Sequence, residues 1–410
     1  MNILVLNGGS SSHKLCLYRI ANELPSHPPK PRWEAQIDWY PQRQEAVVEI
    51  STEKGEQHEE TQAVTDRQKT LTAVIKTLWQ GPFAMLAGEA DIDVVGHRVV
   101  HGGQTYQQSV VIEPAVKAEI DRLSELAPVH NPVNLEGIEL MEQLLDSVPQ
   151  IAVFDTAFHS QMPIVAQTYP GPYHWFEQGI RRYGFHGISH QYCAHRAAQI
   201  LDRPLESLRL VICHLGNGGS LSAVKQGYSI DTTMGFTPLD GLMMGTRSGA
   251  VDPGILIYLM RRGYSADQID QMLNRESGLK GISGVSNDLR EIRQATAEGN
   301  KRAQLAQDLY LHRLKSCIGS MVMGLEGMDA LVFTAGIGEH NPQLRAATCK
   351  SMAFLGVRVD AAKNKVASTD EDISSADSAV RVLVIHTQED WAIAQHCWRR
   401  LRLRSHASQS

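Results

Sequence analysis

A short strand–turn–strand pattern occurs twice in this chain and limits its possible folds more than any other feature. NGGSS at residues 7–11 and NGGSL at residues 217–221 each follow a short apolar run and precede a second strand-like segment. Each copy is followed later by an apolar strand with a glycine turn, VVGHRVVHGG at 94–103 and LVFTAGIGEH at 331–340. The repetition predicts two similar α/β domains, each opening with a β-hairpin. Chance similarity between two glycine–serine turns is the alternative.

The hairpin turns indicate phosphate binding. Backbone N–H groups and serine hydroxyls at such a turn bind phosphate, and the glycine-rich segment 336–339 (GIGE) adds a third predicted cradle. Together they favour a nucleotide. The chain has no G-x-x-x-x-G-K-[ST] motif and no G-x-G-x-x-G after its first strand. This argues against a P-loop protein and a dinucleotide-binding fold.

Residues 231–254 form a glycine-rich loop with a single basic residue, Arg247. Five glycines and two prolines exclude one continuous helix. A guanidinium on such a loop suits a carboxylate or a phosphoryl group. A mobile surface loop with a solvated arginine is the alternative. Apolar residues such as Met243 and Met244 disfavour it, because a solvated loop does not need them.

Other charged residues stand at the ends of predicted elements. Arg98 follows the strand at 92–95, Asp155 ends the strand at 151–154, and Glu389 begins the last helix. Phosphoryl transfer needs cations on the transferred group and an acid that holds Mg²⁺. These residues, with Arg247, meet that need. Surface ion pairs are the alternative for each of them.

Two histidine pairs have the i, i+4 spacing of a helical zinc site: His97/His101 and His186/His190. The first pair flanks Arg-Val-Val, which favours a strand, and neither pair has the glutamate of H-E-x-x-H. A zinc site is therefore disfavoured. We interpret His186 as a hydrogen-bond donor to an oxyanion, and His214 as a donor near phosphate or a buried core histidine.

Composition narrows the function classes. The chain has 410 residues, enough for two domains, and a net charge of −6, which argues against binding nucleic acid or an anionic membrane. Its six cysteines include no C-x-x-C pair. With no signal peptide and no apolar span of 18 residues, we expect a cytoplasmic protein.

Hydrophobic periodicity predicts helices over 66–80, 114–127, 134–146, 189–202, 252–274, 296–327 and 388–400. The proline-rich segment from Pro25 to Pro41 is predicted to be irregular. Residues 33–40 and 46–50 within and after it are interpreted as short edge strands.

In chain order, NGGSSSHK, GHRVVHGG, APVHNPVN, FDTAFH, RRYGFHGISH, HLGNGGS, DTTMGFTPLDGLMMGTRSGAVDPG and FTAGIGEH resemble the acetate kinase family over most of the chain. The family belongs to the acetate and sugar kinase, heat-shock and actin superfamily. The resemblance implies two duplicated ribonuclease-H-like (actin-like ATPase) α/β domains with an active-site cleft between them. Their expected boundaries are 1–155 plus 387–410 for the first, and 156–386 for the nucleotide-binding second.

The resemblance also implies reversible, in-line phosphoryl transfer between ATP and acetate, giving ADP and acetyl phosphate, in a homodimer with Mg²⁺ (or Mn²⁺). Implied catalytic residues are Arg98, Asp155, His186 and Arg247, and implied magnesium ligands are Asn7 and Glu389. The acetate site falls on Arg98, Val100, Val129, His130, Phe185 and Pro238. The phosphates and adenosine fall on Ser10, Ser12, Lys14, His214, Leu215, Gly216, Asn217, Gly218, Asp288, Leu289, Arg290, Gly336, Ile337, Gly338, Glu339 and His340. A carboxylate nucleophile is already ionised at neutral pH, so an orienting or metal role is favoured for Asp155 over that of a base.

The sequence departs from the family pattern at six positions: His13, Val129, His340, His386, Gln388 and Asp390. They affect details of the nucleotide, metal and acyl contacts and remove no charged group that the chemistry needs. A propionate kinase with the same mechanism is the alternative function. A catalytically silent nucleotide-binding sensor and a histidine-based metal hydrolase are alternatives from other classes.

Overall fold

A computed structural model describes residues 1–9, 11–40, 42–367 and 370–407. It divides into two compact units: unit 1 comprises Met1–Ala157 and the chain from Gln388 onward, and unit 2 comprises Phe158–Thr387. Each unit is built around one mixed β-sheet.

Unit 1 contains an eight-stranded sheet in the order β5-β4-β3-β2-β1-β6-β8-β7. Strands β1 to β5 are successive antiparallel neighbours, whereas β1, β6 and β8 run parallel. The strands are β1 (Asn2–Gly8), β2 (Ser12–Arg19), β3 (Trp33–Tyr40), β4 (Glu45–Thr52), β5 (Gln57–Ala63), β6 (Val94–Val99), β7 (Val110–Val111) and β8 (Gln150–Phe154).

Four helices accompany this sheet: α1 (Arg67–Lys76), α2 (Pro114–Arg122), α3 (Asn131–Leu144) and, from the C-terminal segment, the helix Glu389–Ala407. The last helix lies against β6 so closely that a Cβ at Gly96 would stand 2.5 Å from Cys397 Sγ and 2.7 Å from Ile393 Cγ2. Glycine at this position therefore allows the C-terminal helix to pack on the first sheet.

Unit 2 contains a six-stranded sheet in the order β11-β10-β9-β12-β14-β13. Its strands are β9 (Arg209–Leu215), β10 (Gly219–Lys225), β11 (Tyr228–Thr232), β12 (Ala330–Thr334), β13 (Glu371–Asp372) and β14 (Arg381–Val384). Its helices are α4 (Ile164–Gln167), α5 (His174–Glu177), α6 (Gly187–Leu201), α7 (Pro253–Arg261), α8 (Ala266–Arg275), α9 (Gly278–Ser283), α10 (Leu289–Ala297), α11 (Lys301–Gly324), α12 (Ala335–His340), α13 (Pro342–Lys350) and α14 (Ala361–Val366); Glu389–Ala407 is α15.

The two sheets share one arrangement. In unit 1, the antiparallel hairpin strands β3-β2-β1 are followed by parallel β6 and β8; in unit 2, β11-β10-β9 are followed by parallel β12 and β14. Residues 7–9 of the first NGGS motif and residues 217–219 of the second lie at or next to the turn between the first two strands of their sheet. The predicted duplication is therefore visible in the strand order.

Three predictions of local structure were wrong. Residues 33–40 and 45–52 form full strands β3 and β4 inside the sheet, with Trp33 fully buried, and the polar segment 57–63 adds an edge strand. The predicted helix 252–274 is two helices, broken around Gly263, which has φ +94°. Residues 335–340 form a short helix rather than a turn.

Among the described residues, no helix combines the length and apolar character needed to cross a membrane.

Candidate active site

In unit 1, three neighbouring parallel strands end at the same edge of the sheet and carry three of the predicted site residues. Asn7 is near the end of β1, Arg98 is near the end of β6, and Asp155 directly follows β8. The register pairs Leu6 with His97 and Arg98 with Val153. Ligands of open α/β sheets bind beyond the carboxyl ends of such strands.

Arg98 and Asp155 form an ion pair. Arg98 donates to one carboxylate oxygen, Asp155 Oδ2, from Nε at 3.1 Å and from Nη2 at 2.5 Å. Asp155 is 1% exposed. Its second oxygen, Oδ1, is also buried and has no hydrogen-bond partner among the described residues. Asp155 therefore holds Arg98 with one oxygen and presents the other as an unsatisfied acceptor, which is costly to bury without a ligand.

The N-terminus of α15 brings two more carboxylates to this edge. Burial raises the pKa of Glu389 to about 7; the negative charges of Asp155 and Asp390 add to the shift, and Arg98 and Asn7 oppose it. Asn7 Nδ2 donates to Asp390 Oδ1 at 3.0 Å, which leaves the Asn7 carbonyl oxygen as an acceptor. Carboxylate and amide oxygens, which can bind a metal ion, and negative charge are therefore concentrated at this edge of the sheet.

The residues predicted to contact phosphates in unit 1 differ in their contacts and exposure. Lys14, on β2, forms ion pairs with Asp390 at 2.9 Å and Glu34 at 3.0 Å. Ser12 is the first residue of β2 and is partly exposed. Ser10 lies outside the described residues.

The predicted acetate residues of unit 1 follow β6 and precede α3. Val100 is 3% exposed, whereas Val129 is 46% exposed and His130 is intermediate. Asn134 on α3 accepts a hydrogen bond from Val100 N at 3.1 Å and donates to Gly8 O at 2.9 Å. Asn134 thus connects the segment after β6 to the end of β1 at Gly8. The motif APVHNPVN contained this residue, but nothing in its pattern predicted that role.

In unit 2, Arg182 holds the loop 231–254 in place. Its Nη1 lies 2.9–3.1 Å from the carbonyl oxygens of three successive residues, 232–234, and 3.3 Å from Asp240 Oδ2. Arg182 is the second arginine of RRYGFHGISH, and the pattern of that motif predicts no such role for it. The loop is fixed rather than solvated: a Cβ at Gly249, which has φ +70°, would stand 2.3 Å from Leu242 O.

Arg247 lies beside His186 and the turn formed by residues 216–218. A Cβ at Gly218 would stand 3.6 Å from His186 Cε1 and Nε2 and 3.7 Å from Arg247 Nη1. Burial, together with the positive charge of Arg275, lowers the pKa of Arg247. Arg247 Nη1 donates to Pro238 O at 3.3 Å, and within the described chain no carboxylate lies in ion-pair distance of Arg247. Arg247 is partly buried, and a guanidinium withdrawn from water without a counter-charge is unfavourable unless an anion binds to it.

His186 and His214 lie against each other near the turn 216–218. Their rings stack with centroids 4.2 Å apart and planes at 20°. His186 precedes α6 with φ +56°, a left-handed conformation that is uncommon for a residue with a side chain. His214, the penultimate residue of β9, contacts Ser189 Oγ through Nδ1 at 2.8 Å. The structure therefore places both predicted histidines next to the turn 216–218.

A cavity of about 460 Å³ in unit 2 is lined by eight of the residues predicted to bind the nucleotide. Asn287, Arg293 and Asn341 line it and were not predicted, although Asn287 directly precedes the predicted triplet 288–290 and donates to Asn217 Oδ1 at 3.1 Å. The predicted residues that line it are Gly216, Asn217, Asp288, Leu289, Arg290, Gly336, Ile337 and His340.

Glu339 is among the predicted nucleotide residues that do not line this cavity, with Leu215, Gly218 and Gly338. It is 2% exposed, and its carboxylate contacts His386 Nδ1 at 2.6 Å and accepts from Thr387 N at 3.2 Å. Burial opposes its ionisation, but the hydrogen bond and the charge of His386 lower its pKa. In this position Glu339 anchors the chain just before Gln388, and His386 has a structural partner.

The remaining acetate candidates of unit 2 are Phe185 and Pro238. Phe185 is 2% exposed, and its carbonyl oxygen lies 3.0 Å from His159 Nε2. Pro238 is partly exposed, and its carbonyl oxygen is the acceptor for Arg247.

The repeated sheet order, with glycine–serine turns and charged side chains beyond the parallel strands, defines an α/β protein of the actin-like ATPase class. Residues 2–395 match the model of the acetokinase family. The chain is 63% identical over 398 residues to an acetate kinase of Acaryochloris marina. This alignment covers 97% of this chain and 99% of the relative. This protein belongs to the acetokinase family.

Solved structures agree with this assignment. The chain is similar to an acetate kinase from Porphyromonas gingivalis and to a propionate kinase from Francisella tularensis, each with TM-score 0.87 and 38% identity. Each alignment covers 96% of this chain and 98% of the solved chain. The predicted fold class and family are confirmed.

Proposed function

We propose that this protein catalyses reversible phosphoryl transfer from ATP to acetate, giving ADP and acetyl phosphate in the cytoplasm. Membership of the acetokinase family supports the reaction class. The observation that carries the proposal is Arg247, a partly buried guanidinium without a carboxylate partner in the described chain, beside His186 and the turn at Gly218. Arginine and imidazole N–H groups stabilise the charge that develops on a transferred phosphoryl group.

The nucleotide part of the proposal uses the cavity of about 460 Å³ in unit 2. Its size suits a nucleoside, and the turn 216–218 supplies backbone N–H groups beside it for phosphates. His214, stacked on His186, is a donor next to the same turn. The roles of the individual residues are part of the proposal.

The acceptor part uses Arg98 and Asp155. Arginine binds a carboxylate such as acetate, and Asp155 fixes the position of Arg98 through Oδ2. Acetate is ionised at neutral pH and needs no general base. Asp155 is therefore proposed as a residue that orients Arg98 and contributes an oxygen to the metal region.

Magnesium fits the residues at the sheet edge of unit 1. Asp155 Oδ1 is buried without a partner among the described residues, and Asn7 and Glu389 offer further oxygens. Among the described residues, no three His, Cys, Asp or Glu side chains form a metal-binding group. Mg²⁺ usually binds through one or two carboxylates, waters and substrate phosphates, so Asn7 and Glu389 would hold it without a full protein shell. When bound, Mg²⁺ neutralises charge on the phosphates.

Incubation of the purified protein with ATP, Mg²⁺ and hydroxylamine tests the proposal. We expect acetyl hydroxamate from acetate, and less product from propionate at equal sub-saturating concentration, because one CH₂ changes binding by about 1 kcal/mol, roughly fivefold. Arg247→Ala is the control for a contaminating kinase. Absence of hydroxamate from either acid would overturn the proposal. Faster turnover of propionate would favour the alternative, a propionate kinase such as the Francisella protein to which this chain is 38% identical.

We further propose a homodimer in which a second copy covers helix α7 of unit 2. None of the residues of this helix is buried, although its sequence is PGILIYLMR; Ile255, Ile257 and Tyr258 are 48%, 46% and 61% exposed. An apolar helix whose side chains are this exposed is typical of an interface.

Light scattering should give twice the chain mass for the wild-type protein, and Ile257→Asp should shift the mass toward the monomer, because a buried charge opposes association. Val366→Asp is a matched control, since Val366 is an exposed apolar residue on α14 (70% exposed) and away from α7 in the sequence. A monomeric wild-type protein would contradict this part of the proposal.

A further inference from the structure

One serine hydroxyl of unit 2 lies between two imidazole rings. Ser220 Oγ is 2.9 Å from His186 Nδ1 and 2.8 Å from His190 Nε2. Ser220 and His190 are both 0% exposed, so this contact excludes bulk water. A hydroxyl has a single proton, so Ser220 can donate to one of the two rings only, and at least one ring must donate to it.

His190 is the ring that donates. Burial lowers the pKa of His190 well below its ordinary value, and the neighbouring His159 and His214 contribute to the shift. The ring is therefore neutral and has one N–H. Its Nδ1 is buried and has no partner among the described residues, whereas Nε2 faces Ser220. A buried N–H without an acceptor is unfavourable and rare, so the proton belongs on Nε2, where Ser220 accepts it.

The opposite arrangement would require a buried His190 Nδ1–H that points at no acceptor. His159, whose ring is the T-shaped neighbour of His190 at 5.6 Å, does not offer one: its Nε2 bonds to the carbonyl oxygen of Phe185, and its Nδ1 to Ser229 Oγ. A carbonyl oxygen only accepts, so His159 donates from Nε2 and is itself fixed.

We propose that His190, acting through Ser220, fixes the tautomer of His186. With the hydrogen bond from His190 accepted, the hydroxyl proton of Ser220 points to His186 Nδ1, so Nδ1 is the acceptor and the ring N–H of His186 lies on Nε2. That edge of the ring faces Gly218 and Arg247. His190 and Ser220 are thus positioning residues, and His186 presents an N–H to the anion. The inference rests on the proposed function for its catalytic consequence only.

Nitrogen NMR of protein labelled with [ring-¹⁵N]histidine tests the tautomer without any assay of activity. Signals of His186 are identified by their loss in His186→Gln. We expect a pyridine-type Nδ1 and a pyrrole-type Nε2 for His186 at neutral pH, and a tautomer mixture for the same ring in Ser220→Ala. A pyrrole-type Nδ1 in the wild-type protein would overturn the proposal, whether or not the protein makes acetyl phosphate.

Kinetics test the consequence. Ser220→Ala should lower kcat by about 10- to 100-fold, the range for lost orientation of a ligating histidine, with the KM for ATP little changed. In a His186→Gln background, the same substitution should have no further effect, because the two residues act as one unit. Equal loss of kcat in both backgrounds would overturn the proposal.

Ser222→Ala is the matched control. Ser222 lies two residues further along β10, is also 0% exposed, and bonds only to another serine, at 3.2 Å, in the described structure. It should retain the wild-type kcat and the wild-type His186 signals. If Ser220→Ala does not fold, Ser220→Thr keeps the hydroxyl and should keep both the His186 tautomer and the activity. Loss of that tautomer in a folded Ser220→Thr variant would contradict the proposal that Ser220 fixes it.

Discussion

Replacing Arg247 with alanine should lower kcat by about 10³-fold or more, the range observed when an arginine on a transferred phosphoryl group is removed. The KM for ATP should change little, because the charge that Arg247 meets develops mainly in the transition state. The loss corresponds to about 4 kcal/mol of transition-state stabilisation. Steady-state kinetics of hydroxamate formation, with acetate and ATP varied in turn, measure both parameters.

The stability of the same variant separates a functional from a structural role. Arg247 is partly buried and has no carboxylate partner in the described chain, so its removal should leave the free energy of unfolding unchanged or raise it. Arg275→Ala is the matched control: Arg275 is an exposed residue at the end of α8, and its positive charge acts on Arg247. It should retain kcat. Equal kcat in Arg247→Ala and Arg275→Ala would refute the assignment of Arg247.

Replacing Asp155 with alanine should also lower kcat by about 10³-fold, and should raise the KM for acetate. Arg98 would lose the carboxylate oxygen that accepts from both its Nε and Nη2, and the metal region would lose a buried oxygen. Unlike Arg247→Ala, this change should destabilise the protein by about 3–5 kcal/mol, because it leaves a largely buried guanidinium unpaired. Urea unfolding and steady-state kinetics measure the two effects.

Two controls define what Asp155 does. Glu142→Ala breaks the more exposed ion pair with Lys117, 2.6 Å, in the same unit and should change stability by less than about 1 kcal/mol and leave kcat unaltered. The pH dependence of kcat in Asp155→Asn distinguishes orientation from general-base catalysis. We expect a profile of unchanged shape, since acetate needs no base; loss of its acidic limb would identify Asp155 as a base and contradict our assignment.

Several features of the fold were predictable because they depend on local chemistry. The hairpin turns need glycine, apolar runs form the parallel strands, and both patterns repeat, so the duplicated α/β fold followed. By contrast, β5 has seven polar or small residues with no apolar alternation and none of them buried, so its sequence predicts no strand. It forms because its backbone pairs with β4, a partner that periodicity does not reveal.

The candidate site shows the same division. Arg98, Asp155 and Arg247 were chosen from their types and their places at strand ends or in a glycine loop, and His186 as an oxyanion donor in RRYGFHGISH. In the structure Arg98 pairs with Asp155, and His186 and Arg247 both lie near Gly218. Arg182 and Ser220 could not be found in that way. Their roles depend on carbonyls 50–52 residues away and on two imidazoles 30–34 residues away, respectively.

By itself, the sequence determined the residue types available for phosphoryl transfer, the duplication and the family, because these depend on composition, spacing and order along the chain. Only the tertiary structure decided which groups are paired. Arg98 has a carboxylate and Arg247 has none in the described chain, although both are arginines in family motifs. Pairing, burial and the protonated nitrogen of a histidine depend on neighbours distant in the chain, and folding alone brings those neighbours together.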